Sequence, residues 1–245
     1  MALHVFLRQT ENRLHKIHPL LRPEWFDYKK CFYNLVNTMW PATEKYKIEL
    51  NIIFDGDTEN TFTQEYLQNP LITSTLVQIR SSNEVEAGRK MWRFIQNEYK
   101  YDNNDVIYIV ENDYVHLPGW VDILMDLYNS YDATYASLYD HNDKYFLPMY
   151  DNLQSPIICT KYCHWRGVPN TTGTFAVRGK YLREDMDEHL GIEGDFHKFK
   201  ALVDKKGRSV YTPIPGYSTH CMNDLLSPLV NWKKVLNDTS NDRII

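Results

Sequence analysis

Asp105-Val106-Ile107-Tyr108-Ile109-Val110-Glu111-Asn112-Asp113-Tyr114-Val115-His116-Leu117-Pro118-Gly119-Trp120 is the stretch that decides the reading of this chain. Val106 to Val110 are apolar or aromatic with no alternating polar face, the pattern of a strand buried on both sides of a parallel sheet. The run stops at Glu111-Asn112-Asp113. Two carboxylates one residue apart do not belong in a core, and the carboxyl end of a buried strand is where open α/β sheets take their ligands. We read them as a divalent-metal and phosphate site. The plainer alternative is a pair of solvated turn residues ahead of the helix that Pro118 and Gly119 introduce.

Outward from this stretch the same pattern repeats. Leu3 to Leu7 reads as a strand ending in Arg8-Gln9-Thr10. Ile48 to Phe54 reads as a second, ending in Asp55-Gly56-Asp57-Thr58-Glu59, and Leu76 to Ile79 as a third, ending at Arg80. Between them, Asp27 to Met39 carries Phe32, Leu35, Val36 and Met39 at helical spacing. A second helix carries Val85, Gly88, Trp92, Ile95 and Tyr99 with Arg89 beside that face, and a third, Trp120 to Tyr131, presents Ile123, Leu124, Leu127 and Tyr131 inward. Strands alternating with helices at βαβ spacing predict a mostly parallel sheet with its strand ends along one edge.

After a strand at Ala133 to Leu138 the pattern loosens. Tyr139 to Pro169 is aromatic, proline-bearing and irregular, as a binding loop would be. Thr174 to Val177 reads as a return strand. Gly191 to Asp195 precedes a helix whose Phe196, Phe199 and Val203 are expected inside and which Lys205-Lys206-Gly207 closes, and Val210 to Pro213 leads on to His220. No repeat or Gly/Ser linker divides the chain, so residues 1–245 are expected to form one domain.

With 245 residues, 43% hydrophobic and 14% aromatic, the chain can bury a sizeable core. A formal net charge of -5 gives no general basic field, so nucleic acid is disfavoured as a partner. No run approaches ~18 apolar residues and the N-terminus lacks a signal-peptide core, so a soluble, cytoplasmic protein without a transmembrane segment is expected. Four cysteines suit reduced thiols. A zinc site from Cys159, Cys163, His164, His220 and Cys221 is disfavoured by its spacing, and the sequons at Asn170 and Asn237 read as chance.

In this order the residues resemble the nucleotide-sugar glycosyltransferases of the GT-A fold, and among them the family 2 group, over about Ala2 to His220. Ile53-Phe54-Asp55-Gly56-Asp57-Thr58-Glu59-Asn60-Thr61 is similar to the Asp-Asp-Gly-Ser-Thr-Asp loop that grips the nucleotide base, with Phe54 in place of the first Asp. Asn83, Ala87 and Arg89 match the family's Asn-x-Gly-x-x-x-Ala-Arg-Asn segment without its glycine. Glu111-Asn112-Asp113 takes the place of the Asp-x-Asp metal motif, and Leu117-Pro118-Gly119-Trp120 is similar to the family's next segment. Thr171 to Arg178 resembles the glycine-bearing strand that faces donor sugar and acceptor. Gly194-Asp195-Phe196 stands where the family has Glu-Asp-Tyr, and His220 matches a late histidine that completes metal coordination in some members.

The resemblance implies an α/β fold of GT-A type, a Rossmann-like, mostly parallel sheet flanked by helices with a smaller acceptor-side subregion. Residues 1–132 would be the nucleotide-sugar-binding half and 133–245 the acceptor-binding and catalytic half. It implies a Mn²⁺ or Mg²⁺ ion on Glu111, Asp113 and His220. The nucleotide would contact Arg8, Thr10, Asp55, Asp57, Arg80, Arg89 and Asn112, with a UDP-sugar favoured. Trp165, Thr172, Gly173 and Glu193 would face donor sugar and acceptor, and Asp195 would be the base of an inverting transfer to a glycan, lipid-linked or protein acceptor. The chemistry is consistent: a diphosphate leaving group needs its charge neutralised, and an acceptor hydroxyl needs a carboxylate base. An N-cap role for Asp195 is the structural alternative. Two other functions compete. Asp55-Gly56-Asp57-Thr58 is similar to the nucleophile loop of haloacid-dehalogenase phosphatases and phosphotransferases, and the aromatics Tyr139, Tyr145, Tyr150, Tyr162 and Trp165 suit a non-catalytic sugar-binding module.

Overall fold

The computed structural model describes residues 1–11 and 21–241. Strand β4 (Val106–Glu111) is apolar or aromatic and buried up to Val110 because both its faces are covered, and only its last residue, Glu111, is charged. Val106, Tyr108 and Val110 enter one core, and Ile107 and Ile109 enter another. The same division holds for β1 (Leu3–Gln9), whose Leu3, Val5 and Leu7 oppose Phe6, and for β2 (Ile48–Asp55), whose Leu50, Ile52 and Phe54 oppose Ile53. The first core is closed by α1 (Tyr28–Met39) and α4 (Trp120–Ser130), with α2 (Phe62–Gln68) contributing Tyr66. The second is closed by α3 (Glu84–Asn97), α5 (Gly179–Glu184), α6 (Met186–Gly191) and α7 (Asp195–Lys206). Local signals agree with this packing. Asp27 caps α1 by accepting from the Lys30 amide at 2.9 Å, and Asn83 caps α3 by accepting from the Glu86 amide at 2.9 Å.

The remaining strands are β3 (Ser74–Ile79), β5 (Tyr114–His116), β6 (Tyr135–Ala136), β7 (Ile157–Cys159), β8 (His164–Gly167), β9 (Phe175–Arg178), β10 (Val210–Ile214) and β11 (Ser218–His220). Nine of the eleven described strands form one sheet in the order β3-β2-β1-β4-β9-β6-β10-β8-β7. The first four run parallel. β9 returns antiparallel between β4 and β6, β10 lies parallel to β6, and β8 and β7 close the far edge antiparallel. One sheet thus runs through both halves of the chain. The parallel character belongs to its first half and the second half is mixed.

The structure differs from the sequence reading at several points. Tyr139 to Pro169 is not merely a loop, since it supplies β7 and β8. Tyr131 lies past the last turn of α4 and is 38% exposed, and its hydroxyl donates to the Cys159 carbonyl at 2.9 Å. Phe196 is 43% exposed, because the buried face of α7 is Lys198, Phe199 and Leu202. Unforeseen elements are α2, β5, α5, α6, α8 (Trp232–Thr239) and β11. The last of these pairs antiparallel with β5 in the register Ser218 to His116, Thr219 to Val115 and His220 to Tyr114. That ribbon brings a residue more than a hundred positions away to the exit of β4.

Candidate active site

A cleft of about 270 Å³ opens at the carboxyl ends of β1 and β4, between α3 and the start of α7. Arg8, Arg89, Glu111, Gly173, Glu193 and Asp195 line it, so six of the residues singled out in the sequence are brought together. Glu111 Oε1 accepts from Arg8 Nη1 at 2.9 Å. Burial pushes the Glu111 carboxyl up to about 7. Arg8 opposes that rise, and the negative charges of Asp113 and Asp195 add to it.

Gly173 stands between the two cleft carboxylates. A Cβ there would lie 3.1 Å from Glu111 Oε1 and 3.4 Å from Asp195 Oδ2, so glycine is what lets both side chains close on the same space. Asp195 is the first residue of α7. The N-cap position belongs to Gly194, at φ 78, with no side-chain cap bond. The capping role weighed for Asp195 is therefore excluded, and its side chain, 38% exposed, stands 3.5 Å from Lys198 Nζ. Arg89 pairs with Glu193 at 2.6 Å across the cleft wall. Both are largely exposed, and such a pair adds little to stability and can yield to a ligand.

Asp113, two residues beyond Glu111, belongs to a second cluster behind the cleft. Its Oδ2 accepts from Arg22 Nη2 at 2.6 Å and lies 3.0 Å from His220 Nε2. Its Oδ1 is buried with no hydrogen-bond partner among the described residues. Burial alone would raise the Asp113 carboxyl, but hydrogen bonds and charges from His220 and Arg22 outweigh it and hold it at about 2. Burial likewise opposes protonation of His220, yet Asp113 and Glu111 raise it above the usual imidazole range. The expected trio of ligands is thus a pair, Asp113 and His220, with Glu111 turned toward Arg8; among the described residues no group of three acidic, His or Cys side chains is assembled around a metal position. The pair offers a hard divalent ion one unsatisfied carboxylate oxygen, Asp113 Oδ1, while Oδ2, 3.0 Å from His220 Nε2 as neighbouring ligands of an ion at about 2.1 Å would be, is held by Arg22 and His220 and would have to be released first.

The nucleotide-side residues mostly lace strand ends together. Asn112 Nδ2 donates to the Thr10 carbonyl at 3.1 Å, and Thr10 Oγ1 donates to the Asp55 carbonyl at 3.0 Å. Asp55 accepts from the Ser81 amide at 2.9 Å and from its hydroxyl. Asp57 pairs with Arg80 at 2.7 Å on the exposed rim. This arrangement offers no support for a phosphatase nucleophile at Asp55. Thr172 shares a 2.7 Å hydrogen bond with the Tyr114 hydroxyl.

Trp165, expected to face a sugar, is a correction: it is fully buried in the first core and has no free ring face. Tyr139 and Tyr150 are buried too, and only Tyr145 and Tyr162 of the aromatic set are exposed. Cys221 packs beside Cys31 in a third small core while Cys159 is exposed, which disposes of the zinc grouping. The Asn170 sequon is buried. Sequence reasoning missed Arg22 and Tyr114. Tyr114 stacks on His220 with centroids 5.0 Å apart. No periodicity or motif marks Arg22, which is placed by contacts across 91 and 199 residues of sequence.

No family model matches the sequence, and no curated protein matches it. By shape it is similar to a UDP-glucose pyrophosphorylase solved with UDP-glucose, at TM-score 0.53 and 9% identity, covering 97% of this chain and 98% of that one. It is also similar to the galactosyltransferase LgtC, at TM-score 0.48 and 10% identity over 84% of this chain and 72% of that one. A nucleotide-diphospho-sugar transferase from Desulfovibrio desulfuricans G20 aligns at TM-score 0.45 and 12% identity over 86% and 80%. Among the described residues no helix is long and apolar enough to cross a membrane. With its four parallel strands, antiparallel return and flanking helices, the chain has an α/β fold of the GT-A type.

Proposed function

We propose that this protein is a glycosyltransferase that moves a sugar from a nucleotide-sugar donor, a UDP-sugar for preference, to an acceptor hydroxyl with inversion. The observation that carries the reading is the cleft at the strand ends, where Glu111 and Asp195 flank Gly173 and Arg8 and Arg89 stand on the same wall. Residues 1–132 would bind the nucleotide and 133–245 the acceptor, whether glycan, lipid-linked or protein. Asp195 takes the proton of the acceptor hydroxyl. The oxygen forms its bond to the anomeric carbon as the bond from that carbon to the diphosphate breaks on the opposite side. Arg8 and Arg89 face the charge that develops on the departing phosphate. A bound Mn²⁺ or Mg²⁺, held by Asp113 and His220 with Glu111 nearby, would supply further neutralisation of that charge.

A second reading, nucleotidyl transfer, is favoured by the end-to-end likeness to a pyrophosphorylase fold. One experiment separates them. The protein is screened by thermal shift against UDP-, GDP- and dTDP-sugars with Mn²⁺ and with EDTA, and the stabilising donor is then incubated with and without pyrophosphate. Slow release of the nucleoside diphosphate is the expected result. Pyrophosphate-dependent formation of a nucleoside triphosphate would replace the transferase reading with the second one, and absence of any donor stabilisation would remove both.

A further inference from the structure

We infer that Arg22 is a tethered cation of the Asp113 site, which competes with a divalent ion for the Asp113 carboxylate beside His220; the inference rests on the metal reading above. Three features of Arg22 support it. Its Nη2 donates to Asp113 Oδ2 at 2.6 Å, while its Nη1 lies 3.4 Å from His220 Nε2 and donates to the Cys221 carbonyl at 2.8 Å. The guanidinium fork therefore stands over the edge between the Asp113 oxygen and the His220 nitrogen. Those two atoms, 3.0 Å apart, are the pair an octahedral ion would take as adjacent ligands.

His220 Nε2 shares its proton with Asp113 Oδ2 at 3.0 Å, so Arg22 meets this site through that carboxylate oxygen, and its Nη1 fills the space beside Nε2 that an ion would take once the proton has left. Two cations on one carboxylate oxygen repel at short range, so the ion and the docked arginine exclude each other. Arg22 is also held in place. Its side chain is 10% exposed, and its guanidinium lies 4.9 Å from the centre of the Phe26 ring. The arrangement gives the buried Asp113 carboxylate a partner when no ion is bound, which an isolated buried charge requires. It leaves Asp113 Oδ1 without a hydrogen-bond partner among the described residues, open to the ion that displaces Arg22.

Apparent metal affinity is then the intrinsic affinity reduced by the fraction of molecules in which Arg22 is undocked. The test is calorimetric titration of Mn²⁺ into the metal-free full chain and its variants, with no turnover involved. Arg22→Gln is expected to bind Mn²⁺ about 10-fold tighter than wild type, as removal of a 90% docked competitor would give. Arg22→Lys, which keeps the charge and most of the packing but not the two-pronged donor, is expected between them. It carries the comparison should Arg22→Gln fail to fold. Asp113→Asn should abolish binding. Mn²⁺ affinity unchanged or weakened in both Arg22 variants, with wild type still binding, overturns the role of Arg22 alone. No Mn²⁺ binding by wild type and folded Arg22 variants alike overturns the metal reading and this inference together.

Discussion

Glu111 and Asp113 are separated by one residue, yet their surroundings push them in opposite directions. Glu111 looks into the cleft, where burial and two carboxylate neighbours outweigh Arg8 and raise it to about 7. Asp113 looks behind the strand end, where His220 and Arg22 overcome burial and hold it at about 2. The turn from β4 to β5 sends the two side chains to different clusters. An acidic-x-acidic pattern in sequence is thus not a single site but a branch point. Its front serves the cleft and its rear a cationic cluster assembled from both ends of the chain.

The largest effect that would sharpen this contrast lies at the front. Asp195→Asn is expected to lower kcat by ~10²- to 10⁴-fold, the range for loss of a catalytic base. The melting temperature should stay close to wild type, since Asp195 caps nothing. A normal turnover number in this variant would leave the front cleft without its base. A product that kept the donor's anomeric configuration would remove the need for one.

The rear should fail differently. Asp113→Ala strands Arg22 in a buried position beside His220, and loss of one partner from such a pair typically costs about 3–5 kcal/mol. Urea denaturation in EDTA measures this directly. A loss below about 0.5 kcal/mol, as for a solvated surface residue, would show that the rear cluster is not the stabilising pair its geometry describes. Being buried, Asp113 is not the dispensable edge carboxylate that its position after a strand suggests.

The same front and rear division explains which parts were legible in the sequence. The front depends on local features: apolar runs that end in polar residues, capping residues such as Asp27 and Asn83, and a glycine ahead of α7. Periodicity reports such features, so the four parallel strands and the helices α1, α3 and α4 were legible to within a few residues, while the seven-residue α2 was not. The rear depends on pairings such as Arg22 with Asp113 and Ser218 with His116. Contacts between residues about a hundred positions apart leave no periodic trace. The three-residue β11 is too short to carry one either. Trp165 shows the limit on the site itself: an aromatic residue in an irregular stretch reads the same whether it meets a sugar or, as here, the core.

The smallest effect concerns two histidines on the facing strands of the β5/β11 ribbon. His116 is fully buried against the Tyr108 hydroxyl at 2.8 Å with no carboxylate in contact among the described residues, and burial depresses it to about 3. His220, facing Asp113, is raised. The signs are set by proton binding in the two states. Below its ordinary value near 6.5 the unfolded His116 takes up a proton that the native state refuses. Its contribution is therefore complete above about pH 6.5 and is lost as pH falls, by about 1.4 kcal/mol per pH unit. His141 and His189, also pushed down by burial, act in the same sense. For His220 the native state holds the proton more tightly, so its contribution is present below about pH 6.5 and is lost as pH rises through the raised value. Urea unfolding in EDTA between pH 5 and 8 should thus show an acid limb that His116→Gln makes shallower by about 1.4 kcal/mol per pH unit. It should also show a decline as pH rises, to which Glu111, raised to about 7, contributes in the same sense and which His220→Gln makes shallower. The slopes decide the matter, because each substitution also shifts the absolute stability. An acid limb as steep in His116→Gln as in wild type would mean that His116 takes a proton in the native ribbon, and the opposed behaviour of the two strands would be lost.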